Sequence, residues 1–446
     1  MSGPGPRAAE PPLSPEDDAV ALCRDLLRID SSNPGDGSGP GERAAAELVM
    51  AALTEVGWEP ELMESAPRRS SVVLRIPGTN PDRPALVLHG HTDVVPARAE
   101  EWSVDPFGGE EIDGMLWGRG AVDMKDMDAM ILALVRDMGR AGWRPPRDLI
   151  VAMFADEEAG GRFGARWVVE NRPELFAGAT EAVSEVGGFS VDVAGRRVYL
   201  IQAAEKGLAW LRLVATGRAG HGSQVNESNA VTAVAQAVAR IGAHAWPVEL
   251  TGCVRRLLEG VAQLAGLPFD PDDPATIPAL LDALGHAGKF VGTTVATSAN
   301  PTGLAAGYKA NVVPARAEAM IDVRFLPGEE ERTMRTLAEL AGPRVTFEDI
   351  HRDIALQAPF ATPLVDAMVD AVAAEDPGAT VLPYMLSGGT DNKSLARLGI
   401  TGYGFAPLRL PPGLDFAGMF HGIDERVPID ALRFGVRALT RFVRSC

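Results

Sequence analysis

Cysteine is scarce in this 446-residue chain: Cys23, Cys253 and Cys446 lie far apart and form no C-x-x-C pair. That excludes a disulfide framework and a thiolate zinc site, and it favours a reducing, cytoplasmic setting. Long apolar runs are also missing. No stretch approaches the ~20 residues that a membrane-spanning helix requires, and Met1 to Pro15, rich in Pro, Gly and Ala, lacks the apolar centre of a secretory signal and reads as a flexible tail. Basic charge is in deficit, with 42 Lys and Arg against 60 Asp and Glu, a net charge of −18. A nucleic-acid partner needs a basic face, so that class is excluded. No G-x-S-x-G elbow and no cysteine with a histidine motif occurs, which disfavours a nucleophilic hydrolase. No G-x-x-x-x-G-K-[ST] occurs, and Gly118-Arg-Gly120 lacks the third glycine of a dinucleotide fingerprint.

What is present describes a globular protein of two units. Hydrophobic residues make up 46% and charged residues 23%, and the length exceeds one ordinary domain. Helical and strand-like segments alternate, which points to an α/β architecture. Glu42 to Val56 has helical spacing and stops at Gly57, while Ser71 to Ile76, Ala85 to His89 and Asp148 to Phe154 read as strands. From about Ala204 the texture changes. Leu208 to Ala215 reads as a strand and Asn229 to Ile241 as a helix. Ala319, Ile321, Val323 and Phe325 alternate with Met320, Asp322 and Arg324 as a strand with one buried face. With a helix at Glu329 to Ala341 and a strand near Val345 to Ile350, the order is that of a ferredoxin-like sandwich. We therefore expect residues 204–354 to be inserted into a unit made of 1–203 and 355–446.

Candidate chemistry gathers at the ends of the first-half strands, where open α/β sheets hold their ligands. His91 and Asp93 leave one strand; Asp123 follows a Gly-rich turn at the start of a helix; Asp156-Glu157-Glu158 follows the Asp148 to Phe154 strand; Glu185 and His421 stand alone. Singly, each has an ordinary explanation as a cap, a turn or an acidic loop. Together they form an imidazole and carboxylate set without thiolates, suited to hydrolytic zinc or to cobalt or manganese. Two such ions bridged by one carboxylate would polarise a scissile carbonyl and activate water, leaving one of Glu157 and Glu158 to ligate and the other to act as base. Asp93 could orient His91 by accepting its second ring N–H.

Motifs along almost the whole chain carry a resemblance. They are His91-Thr-Asp93-Val-Val-Pro96, Trp102 with Asp105-Pro-Phe107, Asp113-Gly114, Trp117-Gly-Arg-Gly-Ala-Val-Asp-Met-Lys125 and Asp156-Glu-Glu-Ala-Gly-Gly161. Further along stand Gly220-His-Gly-Ser223, Asn311-Val-Val-Pro314, Asp322-Val-Arg324 and Ser387-Gly-Gly-Thr390. The chain resembles the dinuclear zinc exopeptidases and deacylases that include aminoacylase, acetylornithine deacetylase, succinyl-diaminopimelate desuccinylase, glutamate carboxypeptidase and carboxypeptidase S.

The resemblance implies a zinc-exopeptidase-like domain with a central mixed sheet and a ferredoxin-like lid that also dimerises. It implies two Zn2+ per subunit: His91 and Glu185 on one, Glu158 and His421 on the other, Asp123 bridging. Glu157 would be the base, Asp93 would support His91, and the Asp123–Met124 peptide would be cis. His221 would reach a partner subunit's site to stabilise the oxyanion, and Arg324 would grip a substrate carboxylate, with Asn311, Gly388, Gly389 and Thr390 as further contacts. The implied activity is hydrolysis of N-acyl amino acids or short peptides bearing a free carboxylate. A di- or tripeptidase or a carboxypeptidase is the alternative, and a catalytically silent binding module is disfavoured by the intact Glu157 and ligand set.

Overall fold

The computed structural model describes residues 13–446, so most of the Met1–Pro15 tail lies outside the described residues. The first helix, Pro15–Leu27, begins where the local chemistry allows it. The Ser14 hydroxyl accepts the Asp17 N–H at 3.1 Å, and Pro15 occupies the first turn, where a missing N–H costs nothing. The helix expected over Glu42 to Val56 spans Arg43–Thr54, and Gly57 turns the chain with φ of 86°. No helix among the described residues is long and apolar enough to cross a membrane.

A mixed ten-stranded sheet forms the body. Its path runs Glu61–Ala66, Arg69–Ile76, Leu149–Phe154, Ala85–His91, Ala179–Ser184, Thr401–Gly404, Arg196–Glu205, Leu356–Gln357. Ala85–His91 is parallel to both neighbours, with His91 opposite Phe154. Ala85–His91 and Leu149–Phe154 are buried on both faces, as parallel strands under helices are, so they read as continuous apolar runs. Successive residues serve opposite faces: Leu86, Leu88, Val151 and Met153 pack towards the Lys125–Ala141 helix, and Val87, Ile150, Ala152 and Phe154 towards Ala165–Asn171. Each of these buried side chains other than Ala152 contributes roughly 1.5–3 kcal/mol. The Lys125–Ala141 helix is buried along most of its length, against Pro15–Leu27 and the amphipathic Ile429–Ser445 helix.

A four-stranded antiparallel sheet stands apart from the body, in the order Ser298–Ala306, Arg316–Phe325, Gly207–Thr216, Thr346–Asp353. With helices Ala230–Gly242 and Glu330–Ala341 this is the βαββαβ arrangement read from the sequence. Ala319, Ile321, Val323 and Phe325 face the helices, against Leu211, Val234, Ala237 and Leu337.

Residues 252–292 depart from the expected single insertion. They form helices Gly252–Ala265, Ile277–Ala283 and His286–Gly292, whose Val254, Leu257, Leu258, Leu280 and Val291 join the body's core, Gly252–Ala265 lying on Thr380–Leu386. The apolar stripe of an amphipathic helix predicts burial but not which sheet receives it.

Candidate metal centre

Six side chains converge at the edge where the parallel strands end. His91 is the last residue of Ala85–His91, and Glu185 follows Ala179–Ser184 directly. Glu157 and Glu158 occupy one short 3-10 turn after Leu149–Phe154, entered through Asp156 at φ of 64°. Asp123 precedes the Lys125–Ala141 helix across a cis Asp123–Met124 peptide, and His421 has φ of 57° in a loop before the last strand. Val186 takes φ of 52°, which a β-branched residue rarely adopts; such strain collects at functional sites.

The distances divide the cluster in two. His91 Nε2 is 3.2 Å from Asp123 Oδ1, 3.6 Å from Glu185 Oε2 and 3.9 Å from Glu157 Oε2. His421 Nε2 is 3.2 Å from Asp123 Oδ2 and 3.1 Å from Glu158 Oε2. Asp123 thus gives one oxygen to each imidazole. One ligand atom each from His91, Glu157 and Glu185 fall within 4.8 Å of one another, as do those of His91, Asp123 and Glu158.

The electrostatics call for positive charge. Burial pushes Glu185 up to about 7, against the pull of His91, and pushes Glu157 well above the usual carboxylate range, reinforced by Glu185, Asp391 and Glu158. Burial opposes ionisation of Asp123 too, but the imidazoles of His421 and His91 beside its two oxygens hold it well below the usual range. Bonds to Asp123 and Glu158 raise His421 to about 10. Buried His91 Nε2 and Glu158 Oε1 have no hydrogen-bond partner. Buried polar atoms of this kind need a partner, and oxygen and imidazole nitrogen lone pairs facing a common space fit divalent cations.

Supporting contacts correct one expectation. The His91 Nδ1 bond, at 3.0 Å, goes to the backbone carbonyl of Asp93, with the carboxylate Oδ1 at 3.6 Å. The Asp93 carboxylate instead accepts the N–H groups of Glu157 and Glu158, each at 3.1 Å, and Asn33 Nδ2 at 2.9 Å. It is drawn there because those turn N–H groups have no helical partner of their own. Asp93 therefore links His91 to the Glu157–Glu158 turn. Asn33 was not among the residues singled out, and neither was Glu425. The buried Glu425 carboxylate accepts N–H from Gly120 at 3.0 Å, Val122 at 2.7 Å and Asp123 at 3.2 Å, and pairs with Arg119 Nη1 at 2.7 Å. Arg119 Nη2 reaches the Gly422 carbonyl at 2.7 Å, tying the Asp123 turn to the His421 loop. The Asp-Glu pair three residues after His421 was the available signal.

A cavity of about 340 Å³ opens onto the cluster, lined by Asp123, Glu157, Glu158, Glu185 and His421 and, across it, by Arg324, Gly388, Gly389 and Thr390. Trp210, His351 and Lys393 also line it and escaped the sequence reading. Arg324 is paired with Asp322, Nε to Oδ1 at 2.7 Å and Nη2 to Oδ2 at 3.1 Å. Gly389 makes room for a lysine, since a Cβ there would come within 2.5 Å of Lys393 Cε. His221 and Asn311 do not line this cavity. They sit side by side on the four-stranded unit, where His221 pairs with Val312, its Nδ1 lies 2.8 Å from Ser223 Oγ, and Gly222 N–H donates to the Asn311 carbonyl. A larger cavity of about 500 Å³ between Phe189 and Leu414 is lined by none of the six converging side chains.

Residues 87–445 match the peptidase family M20/M25/M40. The chain belongs to this family. It is accordingly a metal-dependent hydrolase. It is 29% identical to aminoacylase-1 of Pongo abelii over 455 aligned residues, covering 99% of this chain and 97% of that protein, and 28% identical to human aminoacylase-1 over the same shares. The fold is similar to that of the M20 metallo-carboxypeptidase Sso-CP2 of Sulfolobus solfataricus, with a TM-score of 0.73 at 19% identity, covering 96% of this chain and 99% of that one. The dipeptidase Dug1p of Saccharomyces cerevisiae gives 0.68 at 15%, covering 96% of each.

Proposed function

We propose that this chain hydrolyses the amide bond of N-acyl amino acids or short peptides with a free carboxylate, using two zinc ions per subunit. His91 and Glu185 would hold one ion, Glu158 and His421 the other, and Asp123 would bridge them. The observation that carries this reading is the division of Asp123, whose Oδ1 faces His91 and whose Oδ2 faces His421. Zinc, or cobalt or manganese in its place, supplies Lewis acidity to the scissile carbonyl and lowers the pKa of water.

The chain's own residues do the rest. Glu157 stands further from His91 than Asp123 or Glu185 does and borders the cavity, so we assign it as the base that takes the water proton and passes it to the leaving nitrogen. Burial among other carboxylates keeps its proton affinity high enough for that task. Asp93 holds Glu157 and Glu158 by their N–H groups and His91 by its carbonyl. Arg324 would grip the substrate carboxylate by exchanging its Asp322 partner, with Gly388, Gly389 and Thr390 along the same wall.

The body, 1–203 with 355–446, would carry the catalysis, and the ferredoxin-like part of 204–354 would serve as lid and homodimer contact. His221 and Asn311 would then act on a partner subunit's site, a reading supported by their exposure on the four-stranded unit rather than in their own cavity. The free, buried Cys23, Cys253 and Cys446 support a cytoplasmic setting.

The higher identity to aminoacylase-1, 29% against 19% for the carboxypeptidase Sso-CP2, favours N-acyl amino acids over peptides. The test is hydrolysis of N-acetyl amino acids beside dipeptides by zinc-loaded protein, before and after chelation. Metal-restorable cleavage with the acetyl compounds preferred is expected. Activity indifferent to thorough metal removal would overturn the mechanism, and preference for dipeptides would shift the substrate assignment to a dipeptidase.

A further inference from the structure

The chain passes between the body and the four-stranded unit four times: after Glu205, after Gly242, after Gly292 and after Asp353. Two buried lysines gather three of these passages at one place. Lys206, 1% exposed, donates from Nζ to the carbonyls of Thr293 at 2.9 Å and Ala296 at 2.6 Å. Lys393, 4% exposed, donates from Nζ to the carbonyls of Lys206 at 2.5 Å and Ile354 at 2.8 Å. A buried ammonium must be hydrogen-bonded, and here its partners are backbone carbonyls rather than a close carboxylate; Glu205 Oε2 is 3.8 Å from Lys393. Each lysine therefore binds one chain passage to another.

The strands so pinned are those that flank Arg324. In the four-stranded sheet Arg324 pairs with Leu208 on one side and Ser298 on the other. Lys206 is two residues before Leu208, and its ammonium holds Ala296, two residues before Ser298. Lys393 adds the third strand, because Asp353, beside Ile354, pairs with Leu208. Gly207 keeps the junction tight, since a Cβ there would lie 1.9 Å from the Phe325 ring. Burial, and then the Arg324 guanidinium, bring the Lys206 ammonium down to about 8, as expected for a cation close behind a second one. Lys393 itself belongs to the body's Asn392–Ala396 helix, and Thr390, which precedes it, bonds Glu205 through N at 3.2 Å and Oγ1 at 2.6 Å.

We propose that Lys206 and Lys393 are positioning residues that set the reach of Arg324 across the cavity to the metal centre, and so determine how well a substrate carboxylate is held. This rests on the carboxylate-grip reading of Arg324. Neither lysine need touch substrate: Lys206 acts through the two strands beside Arg324, and Lys393 through the backbone of Lys206.

A double-mutant cycle between Lys206→Met and Arg324→Gln, read as KM and kcat on an N-acetyl amino acid with metal content and thermal melting measured alongside, tests it. The expected result is a KM raised about tenfold by Lys206→Met with kcat nearly kept, and less than twofold further change when Lys206→Met is added to Arg324→Gln, because coupled residues are non-additive. The same loss in both backgrounds, or an unchanged KM for Lys206→Met, would overturn the assignment. If Lys206→Met does not fold, Lys206→Arg, which keeps a buried cation but moves its donors, takes its place with the same non-additivity required. An Arg324→Gln enzyme with unaltered KM would instead overturn the carboxylate grip itself, and this assignment with it.

Discussion

Replacing Glu425 by Gln changes one oxygen into an NH2 group and removes one charge, and the surrounding donors fix the consequence. Oε1 accepts from Val122 and Asp123, and Oε2 from Gly120 and Arg119. Whichever way the amide turns, its NH2 faces two N–H donors, and both lose their acceptor. Each orphaned buried donor costs about 1–3 kcal/mol, more for the charged one, and breaking a buried ion pair by one partner costs about 3–5 kcal/mol. These figures describe overlapping losses, so we expect destabilisation of about 3–5 kcal/mol rather than their sum. Arg119 also carries the bond to Gly422, so the loss loosens the His421 loop and the Asp123 turn together. Metal affinity should therefore fall by ~10–100-fold, as it does when groups that orient ligands are removed. Guanidinium unfolding of the metal-free protein reads the first effect, and zinc retention in competition with a chelator reads the second. Asp424→Ala is the control. The Asp424 carboxylate accepts only from Ser103, through N at 2.8 Å and Oγ at 2.7 Å, in an exposed setting, and its loss should cost no more than about 1 kcal/mol. A Glu425→Gln protein as stable and as retentive of zinc as the control would refute the reasoning.

His421→Ala should lower zinc from two ions per chain to about one, because His421 meets only Asp123 and Glu158 while His91, Glu185 and Asp123 still form a site. Elemental analysis after dialysis reads this, and two retained ions would contradict the separate assignment of the ligands. His221→Ala should reduce turnover at full metal occupancy, and mixing it with a Glu157 variant should restore activity if sites are completed across a dimer. Mixed dimers without recovered activity would count against the shared site.

The sequence made the candidate ligands legible because strand ends carry a local signature. An apolar run that stops at an acid or a histidine places that side chain at the sheet edge, as with His91 and Glu185. The ferredoxin-like unit was legible for a similar reason: the strict alternation through Ala319 to Phe325 has a period of two, which only a half-buried strand explains. Contacts that close over long separations were not. Glu425 meets Val122 across 303 positions and Asn33 meets Asp156 across 123, and no local pattern announces such pairs. The helices between 252 and 292 illustrate a different limit, since Val254, Leu257, Leu258 and Val261 predict a buried face but leave open that the body receives it. Asp93 lay between the two cases. Its nearness to His91 was readable, but its carboxylate serves the N–H groups of Glu157 and Glu158, 64 and 65 residues away.

The central claim is that Glu157 works on water while Glu158 holds metal, although the two are adjacent and both face the cluster. Glu157→Gln separates them directly when zinc content and turnover are measured on the same sample. The account predicts two zinc ions per chain with turnover reduced by ~10²–10⁴-fold, the usual contribution of a general base. Loss of an ion together with activity would make Glu157 a ligand, and full turnover would remove it from the reaction.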